Sequence, residues 1–200
     1  MTKMTWKRWG VAAVALSVLA LGLAVYLPSS DAAINQTVKI VRCKGDKSHL
    51  LQFPNGPILT ANTTGFLDAG VGTSFVTTDG RQGTNLSVED VFSTGTVEGL
   101  GSVTFNLDKS RQAGRSAIVA NQAGSQFPAT QTMSFHFTVS VDGHTYRSLN
   151  AANVTNSQVS SFPPAPGTTY VLSNELKLED VQKPGVVALT MPPGKAFEVL

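Results

Sequence analysis

The chain has 200 residues, 42% of them hydrophobic, with 15 Lys and Arg, 13 Asp and Glu and one Cys. Twelve basic and twelve acidic residues remain after Ala32, so the sequence predicts no basic face for phosphate binding and excludes a nucleic-acid partner. A single cysteine cannot form an intrachain disulfide, so the fold must be held together by packing.

The N-terminal segment, residues 1–33, has the layout of an export signal. Lys3, Lys7 and Arg8 precede a run without charge from Val11 to Leu27. This run of 17 residues exceeds the usual apolar region of a signal peptide, about 7–15 residues, and just reaches the lower limit for a helix that spans a bilayer. We therefore expect an exported protein that begins with one hydrophobic helix.

Two outcomes stay open for this segment. Ser30 and Ala32 occupy the small-residue positions of a signal-peptidase site, and cleavage after Ala32 would give a secreted or periplasmic protein. Trp9 and Tyr26 bracket the apolar run as the interfacial aromatics of a retained anchor do. In that second case residues 11–27 hold the protein in the membrane as a single-pass anchor, with the C-terminal part outside.

The rest of the chain predicts β-structure. Apolar and polar residues alternate strictly from Thr132 to Val141, and Asp142-Gly143 then provides the turn of a hairpin that returns through residues 144–149. Similar alternation predicts further strands at residues 36–42, 73–77, 102–107 and 185–191. Strands separated by turn residues at this spacing predict an antiparallel sandwich or barrel, and the expected fold is all-β and sandwich-like.

Four short sequence words recur in the same order about 90 residues apart. The clearest pair is LSVEDV, residues 86–91, and LKLEDV, residues 176–181. Such self-similarity predicts an internal duplication. The predicted units are residues 34–125 and 126–200, either as two domains in tandem or as one pseudo-symmetric sandwich.

Histidine and cysteine are the first residues to test for chemistry. Parity around the hairpin turn places His144 on the face opposite His136, which makes the pair a poor metal site. His49 is predicted to lie at an edge. Cys43 stands between two basic residues that could lower a thiol pKa, but a small apolar residue at the end of a strand is the better interpretation.

The charged and aromatic residues form no recognisable reaction motif. Two basic clusters are predicted to be solvated turns: Lys39, Arg42, Lys44 and Lys47, and Lys109, Arg111 and Arg115. The carboxylates that an enzyme would have to bring together are Asp68, Glu98 and Asp108. The aromatics that a glycan-binding surface would expose are Phe53, Phe66, Phe127 and Phe162.

The sequence therefore predicts a non-catalytic binding or structural module that acts outside the cytoplasm. No catalytic residue, metal site or cofactor is predicted. The expected partner is a protein or a glycan at the cell surface or envelope, in addition to the membrane if the leader is retained. Two alternatives are an extracytoplasmic hydrolase that uses carboxylates and an accessory protein of envelope assembly or transport.

Overall fold

The computed structural model describes residues 39–111 and 113–200, which form thirteen antiparallel β-strands in one hydrogen-bonded sheet. The strands are β1 (Lys39–Gln52), β2 (Ile58–Val76), β3 (Gln82–Val97), β4 (Gly101–Leu107), β5 (Ser116–Ala120), β6 (Ala129–Phe135), β7 (Phe137–Val141), β8 (His144–Ser148), β9 (Ala152–Val159), β10 (Thr169–Leu172), β11 (Leu176–Asp180), β12 (Val187–Met191) and β13 (Gly194–Val199). The prediction of an antiparallel all-β fold is confirmed. The predicted leader and its cleavage site lie outside the described residues, among which no helix has the length and apolarity to cross a bilayer.

The sheet closes on itself as eight strand lines, where a strand line is either one long strand or two short strands that lie end to end. β1, β2 and β3 are long and pair side by side, and the two halves of β3 pair separately with β4 and β5. The later strands run end to end in pairs, β6 with β7, β8 with β9, β10 with β11 and β12 with β13. Because β12 and β13 both pair with β1, the last strand line joins the first. The inward side chains therefore share one interior.

The strand lines opposite β1–β3 are interrupted where one short strand ends and the next begins, and these breaks lie at neighbouring positions. Hydrogen bonds from side chains replace the backbone hydrogen bonds that are missing there. The Arg111 guanidinium donates to the carbonyl oxygens of Ser148 and Leu149. The Asn150 amide donates to the Glu175 carbonyl and accepts from the Lys177 N–H. These contacts give hydrogen-bond partners to backbone groups at the strand breaks.

The predicted hairpin is present, with one change. β7 and β8 pair through the Asp142-Gly143 turn, where both residues have positive φ, and His144 lies opposite Val141. The predicted strand is interrupted at His136, which is buried rather than on a solvated face. The His136 ring lies 3.1 Å from the Ser148 hydroxyl, which also accepts a hydrogen bond from the Phe137 N–H. Burial of the imidazole is thus compensated by the neighbouring strand.

Other strand predictions agree in place but not in length. β4 and β12 fall where alternation predicts them, whereas residues 73–76 and 39–42 belong to the much longer strands β2 and β1; residues 36–38 of the prediction lie outside the described residues. The first copies of the recurring words lie in β2 and β3, and the second copies lie in or lead into β9, β10 and β11. Residues 121–128 form the loop between the paired strands β5 and β6. The sandwich-like arrangement and the duplication stay predictions.

Candidate functional site

An interior cavity of about 50 Å³ lies between β1–β3 and the broken strand lines. Its walls are almost wholly apolar, and they include Phe105, Met133 and Val154. The polar side chains at the cavity are Lys47 and His49 from β1 and Ser93 from β3. We call this space the inner cavity. A dry space with a few polar groups is the usual form of a small-molecule site.

Small residues on neighbouring long strands leave room for the inner cavity. Gly65 lies opposite Ser93, and Gly95 lies opposite Thr63, on the inward side of β2 and β3. The backbones curve so tightly here that a Cβ on Gly95 would meet the Asn62 carbonyl oxygen at 1.9 Å. Glycine therefore serves both the curvature of the sheet and the space inside it.

Lys47 is the unexpected residue of the site. The basic-cluster prediction placed it in a solvated turn, but it lies on the inward face of β1 with only 8% of its surface exposed. The ammonium nitrogen is 5.6 Å from the centre of the Phe197 ring, and this ring packs directly on Gly45. Burial lowers the pKa of Lys47 to about 8.

No carboxylate of the described residues forms an ion pair with Lys47. The ion pairs of this part of the chain use Arg42, Arg81, Arg147 and Lys195. A charged amine without a counter-ion in an apolar interior is costly. Such a group is therefore a candidate for a functional role.

His49 lies beside Lys47 on the same face of β1, in the stretch between Asp46 and Gln52 where the ladder joins β1 to β2 alone, which agrees with the predicted edge position. It is half-buried, and its ring centre is 4.8 Å from that of Phe105. Burial and the neighbouring Lys47 charge lower the pKa of His49 to about 3. The imidazole is therefore neutral at physiological pH.

Two buried hydroxyls lie near the polar side chains of the site. Thr63 faces Lys47 across the β1–β2 ladder, and Ser93 lies on the next strand. Within the described chain, neither Oγ1 of Thr63 nor Oγ of Ser93 has a hydrogen-bond partner. Buried hydroxyls are normally paired, so the hydroxyl of Ser93, which lines the inner cavity, is available to a ligand.

A surface groove of about 230 Å³ adjoins the inner cavity. His49, Leu172 and Met191 line both spaces, and Pro192-Pro193 lies along the groove. We call it the side groove. It lies where β1 leaves its ladder with β13 at Asp46 and meets β12 only at Gln52, so the sheet wall is interrupted between these two contacts.

The cysteine prediction is resolved in favour of a structural role. Cys43 is buried within β1, not at the end of a strand, and it faces Leu67 across the ladder. Burial, with a smaller effect from Asp68, raises the pKa of the thiol. The thiol is therefore protonated and a poor nucleophile.

The three candidate carboxylates have separate environments. Asp68 makes a bidentate ion pair with the Arg42 guanidinium, with N–O distances of 2.7 and 2.8 Å. Asp108 accepts a hydrogen bond from the Ser110 hydroxyl. Glu98 is exposed in the turn after β3. No hydrogen bond in the described residues links any two of these carboxylates.

The other basic and aromatic candidates mostly support the fold. Arg42 and Lys44 are exposed on β1, and Arg111 closes the strand break described above. Phe53 and Phe162 are half-buried and pack against the core rather than forming an exposed row. Phe66 is half-buried too, with its ring centre 5.9 Å from that of Phe92.

Comparisons with known proteins add the fold alone. No family model matches the chain, and no curated protein matches it. Among solved structures the chain is similar to DynF from the dynemicin biosynthesis pathway of Micromonospora chersina, with a TM-score of 0.59 and 16% sequence identity. The similarity covers 87% of this chain and 91% of that chain.

Proposed function

We propose that this chain is a non-catalytic binding protein that acts outside the cytoplasm and holds a slim apolar molecule in the inner cavity. The observation that carries the proposal is an apolar space whose described lining includes Lys47 without an ion pair and Ser93 without a hydrogen-bond partner. Apolar walls supply most of the binding free energy of such a ligand, about 25 cal/mol for each Å² removed from water. Polar groups fix its orientation.

The size of the two spaces limits the shape of the ligand. The inner cavity is large enough for only the end of a molecule, whereas the adjoining side groove has about 230 Å³. A chain-like ligand with its end in the inner cavity and its body in the side groove uses both. The interrupted contact between β1 and the last strand line supplies the entrance.

Cavity filling tests this proposal. The small residue Ala152 lines the inner cavity, while Ala120 is equally buried but lies elsewhere. We expect Ala152→Leu to weaken binding of the apolar dye N-phenyl-1-naphthylamine by at least about tenfold, or 1.4 kcal/mol. The matched variant Ala120→Leu should change the affinity of the folded protein by less than about twofold. Equal effects of both variants, or no dye binding by the parent chain, would contradict the proposal.

The location outside the cytoplasm has its own test. Intact masses are measured for the membrane and soluble fractions of the producing cell. A soluble extracytoplasmic species that starts near Ala33 supports export with cleavage, and a membrane species that retains residues 1–33 supports an anchor. A soluble cytoplasmic species that retains residues 1–33 would contradict the location.

A further inference from the structure

The amine of Lys47 is placed in an environment that suits a neutral nucleophile better than a permanent cation. It is buried, it faces the inner cavity, and it has no carboxylate partner among the described residues. The contact above the Phe197 ring gives only weak compensation for a charge. The lowered pKa of about 8 agrees with this geometry, because a measurable fraction of the amine is then neutral near physiological pH.

The presence of lysine rather than arginine at position 47 bears on whether the ligand carries a carbonyl or a carboxylate. A site built to hold a carboxylate favours arginine, whose planar fork matches two oxygens and stays charged when buried. Lysine is a point charge whose pKa falls on burial, and this property suits it to attack on carbonyl carbon. The absence of any arginine from the walls of the inner cavity therefore favours a carbonyl ligand.

The remaining polar groups of the inner cavity match the needs of carbonyl addition. Ser93 lines the inner cavity and carries an unpartnered buried hydroxyl, which can hydrogen-bond the carbonyl oxygen without adding charge. The His49 ring is neutral, and it lies on the same face of β1 as Lys47. A neutral imidazole adds no charge beside the amine and can hydrogen-bond the carbonyl oxygen or the departing water.

We propose that Lys47 binds the carbonyl end of a slim apolar aldehyde covalently, as an imine. This rests on the proposed function, because it assigns the class of ligand for the same cavity. The Lys47 nitrogen forms a bond to the carbonyl carbon, the carbonyl electron pair moves to oxygen, and a proton passes from nitrogen to oxygen. Loss of that oxygen as water, with a second proton, leaves the C=N bond. No oxidant or reductant is needed, and the apolar tail occupies the side groove.

Reductive trapping tests the inference on the full chain. The protein is mixed with a limiting amount of nonanal and sodium cyanoborohydride near neutral pH, and the modified lysines are located by peptide mass spectrometry. Lys44 is the internal control because it lies on the same strand with its side chain exposed. We expect labelling of Lys47 to exceed that of Lys44 by at least about tenfold, because burial lowers the pKa of the Lys47 amine and the inner cavity holds the aldehyde beside it.

Two variants link the label to the inner cavity. Lys47→Arg keeps the charge but cannot form an imine, so the preferred label should disappear while the labelling of Lys44 is unchanged. Ala152→Leu should lower the label on Lys47 by restricting the space beside it. Labelling of Lys47 at or below the level of Lys44 would overturn the inference. If the dye still binds in that case, the proposed function stands without the imine; if the dye does not bind, both fail.

Discussion

Tyr170 donates a hydrogen bond of 2.7 Å from its hydroxyl to Oε1 of Gln131, and both side chains are almost completely buried. The Gln131 amide then reaches Sδ of Met133, a residue of the inner cavity wall, at 3.4 Å. The apolar interior thus contains a short polar chain that joins β10 to β6. Burial also raises the pKa of Tyr170, so its hydroxyl stays a donor.

The first prediction concerns this pair. Tyr170→Phe should lower the free energy of unfolding by about 1–3 kcal/mol, because Oε1 of Gln131 then has no donor in the interior. Urea denaturation of the purified chain measures the loss. Tyr146→Phe is the control, since Tyr146 is half-buried and its hydroxyl bonds no described residue. Equal losses in both variants would mean that the Tyr170 hydroxyl makes no special contribution.

The second prediction is a pH dependence caused by Lys47. The folded protein releases the Lys47 proton near pH 8, whereas an unfolded chain keeps it to about pH 10.4. Between these values the unfolded state binds more protons, so stability rises with pH.

The difference in unfolding free energy between the parent chain and Lys47→Met isolates this effect, since the variant keeps every other titrating group. From pH 7.5 to pH 9.5 that difference should move in favour of the parent by about 2 kcal/mol. A difference that stays constant over this range would show that Lys47 titrates like an exposed lysine.

The third prediction concerns the tight curve of the long strands. Gly95→Ala should destabilise the protein by about 2–3 kcal/mol or prevent folding, because its Cβ would overlap the Asn62 carbonyl oxygen. Gly72→Ala, in β2, is the matched control, since its Cβ would lie 3.2 Å from the nearest atom. Thermal unfolding compares them. Similar melting temperatures for the two variants would argue against a backbone constraint at Gly95.

The fourth prediction tests the side groove as the entrance. Ser48 is exposed and lines the groove, so Ser48→Trp should slow both association and dissociation of the dye. Because an obstructed entrance changes the path and not the bound state, the dissociation constant should stay within about twofold of the parent value. Stopped-flow fluorescence gives both rates. The exposed control Thr96→Trp, on β3, should leave them unchanged, and a slowing shared by both variants would remove the groove from the route.

Alternation in the sequence predicted the antiparallel strands, since the pleat has a period of two residues. The stretch from Met133 to Val141 shows this, because its alternate apolar residues are all buried. The local sequence pattern gave the wrong prediction within β1, where Lys44, Gly45 and Asp46 resemble a turn but belong to the strand. The strand continues to Gln52 because β2 pairs with it throughout. Tertiary pairing here overrides local propensity.

The same strand contained a usable signal for the candidate site. Val41, Cys43 and Leu51 share one parity, and extending it through the intervening residues places Lys47 and His49 inside. The inner cavity itself could not be predicted, since it depends on the register that sets Gly65 against Ser93 and Gly95 against Thr63. Such register between distant residues is not encoded in any short pattern.

The interrupted contact between β1 and the last strand line also marks where two copies of the protein could exchange strands. Elsewhere in the part of the chain that the structure describes, the closed sheet offers no free edge, but here the first and last strand lines are joined by ladder pairs only at Gly45, Asp46 and Gln52. If these pairs separate, each molecule presents two edges that are already complementary in register. Two opened molecules can then close on each other, and unpaired edges of this kind are the usual start of domain swapping and aggregation. The proposed ligand entrance is therefore also the place where strand exchange between two copies is least hindered.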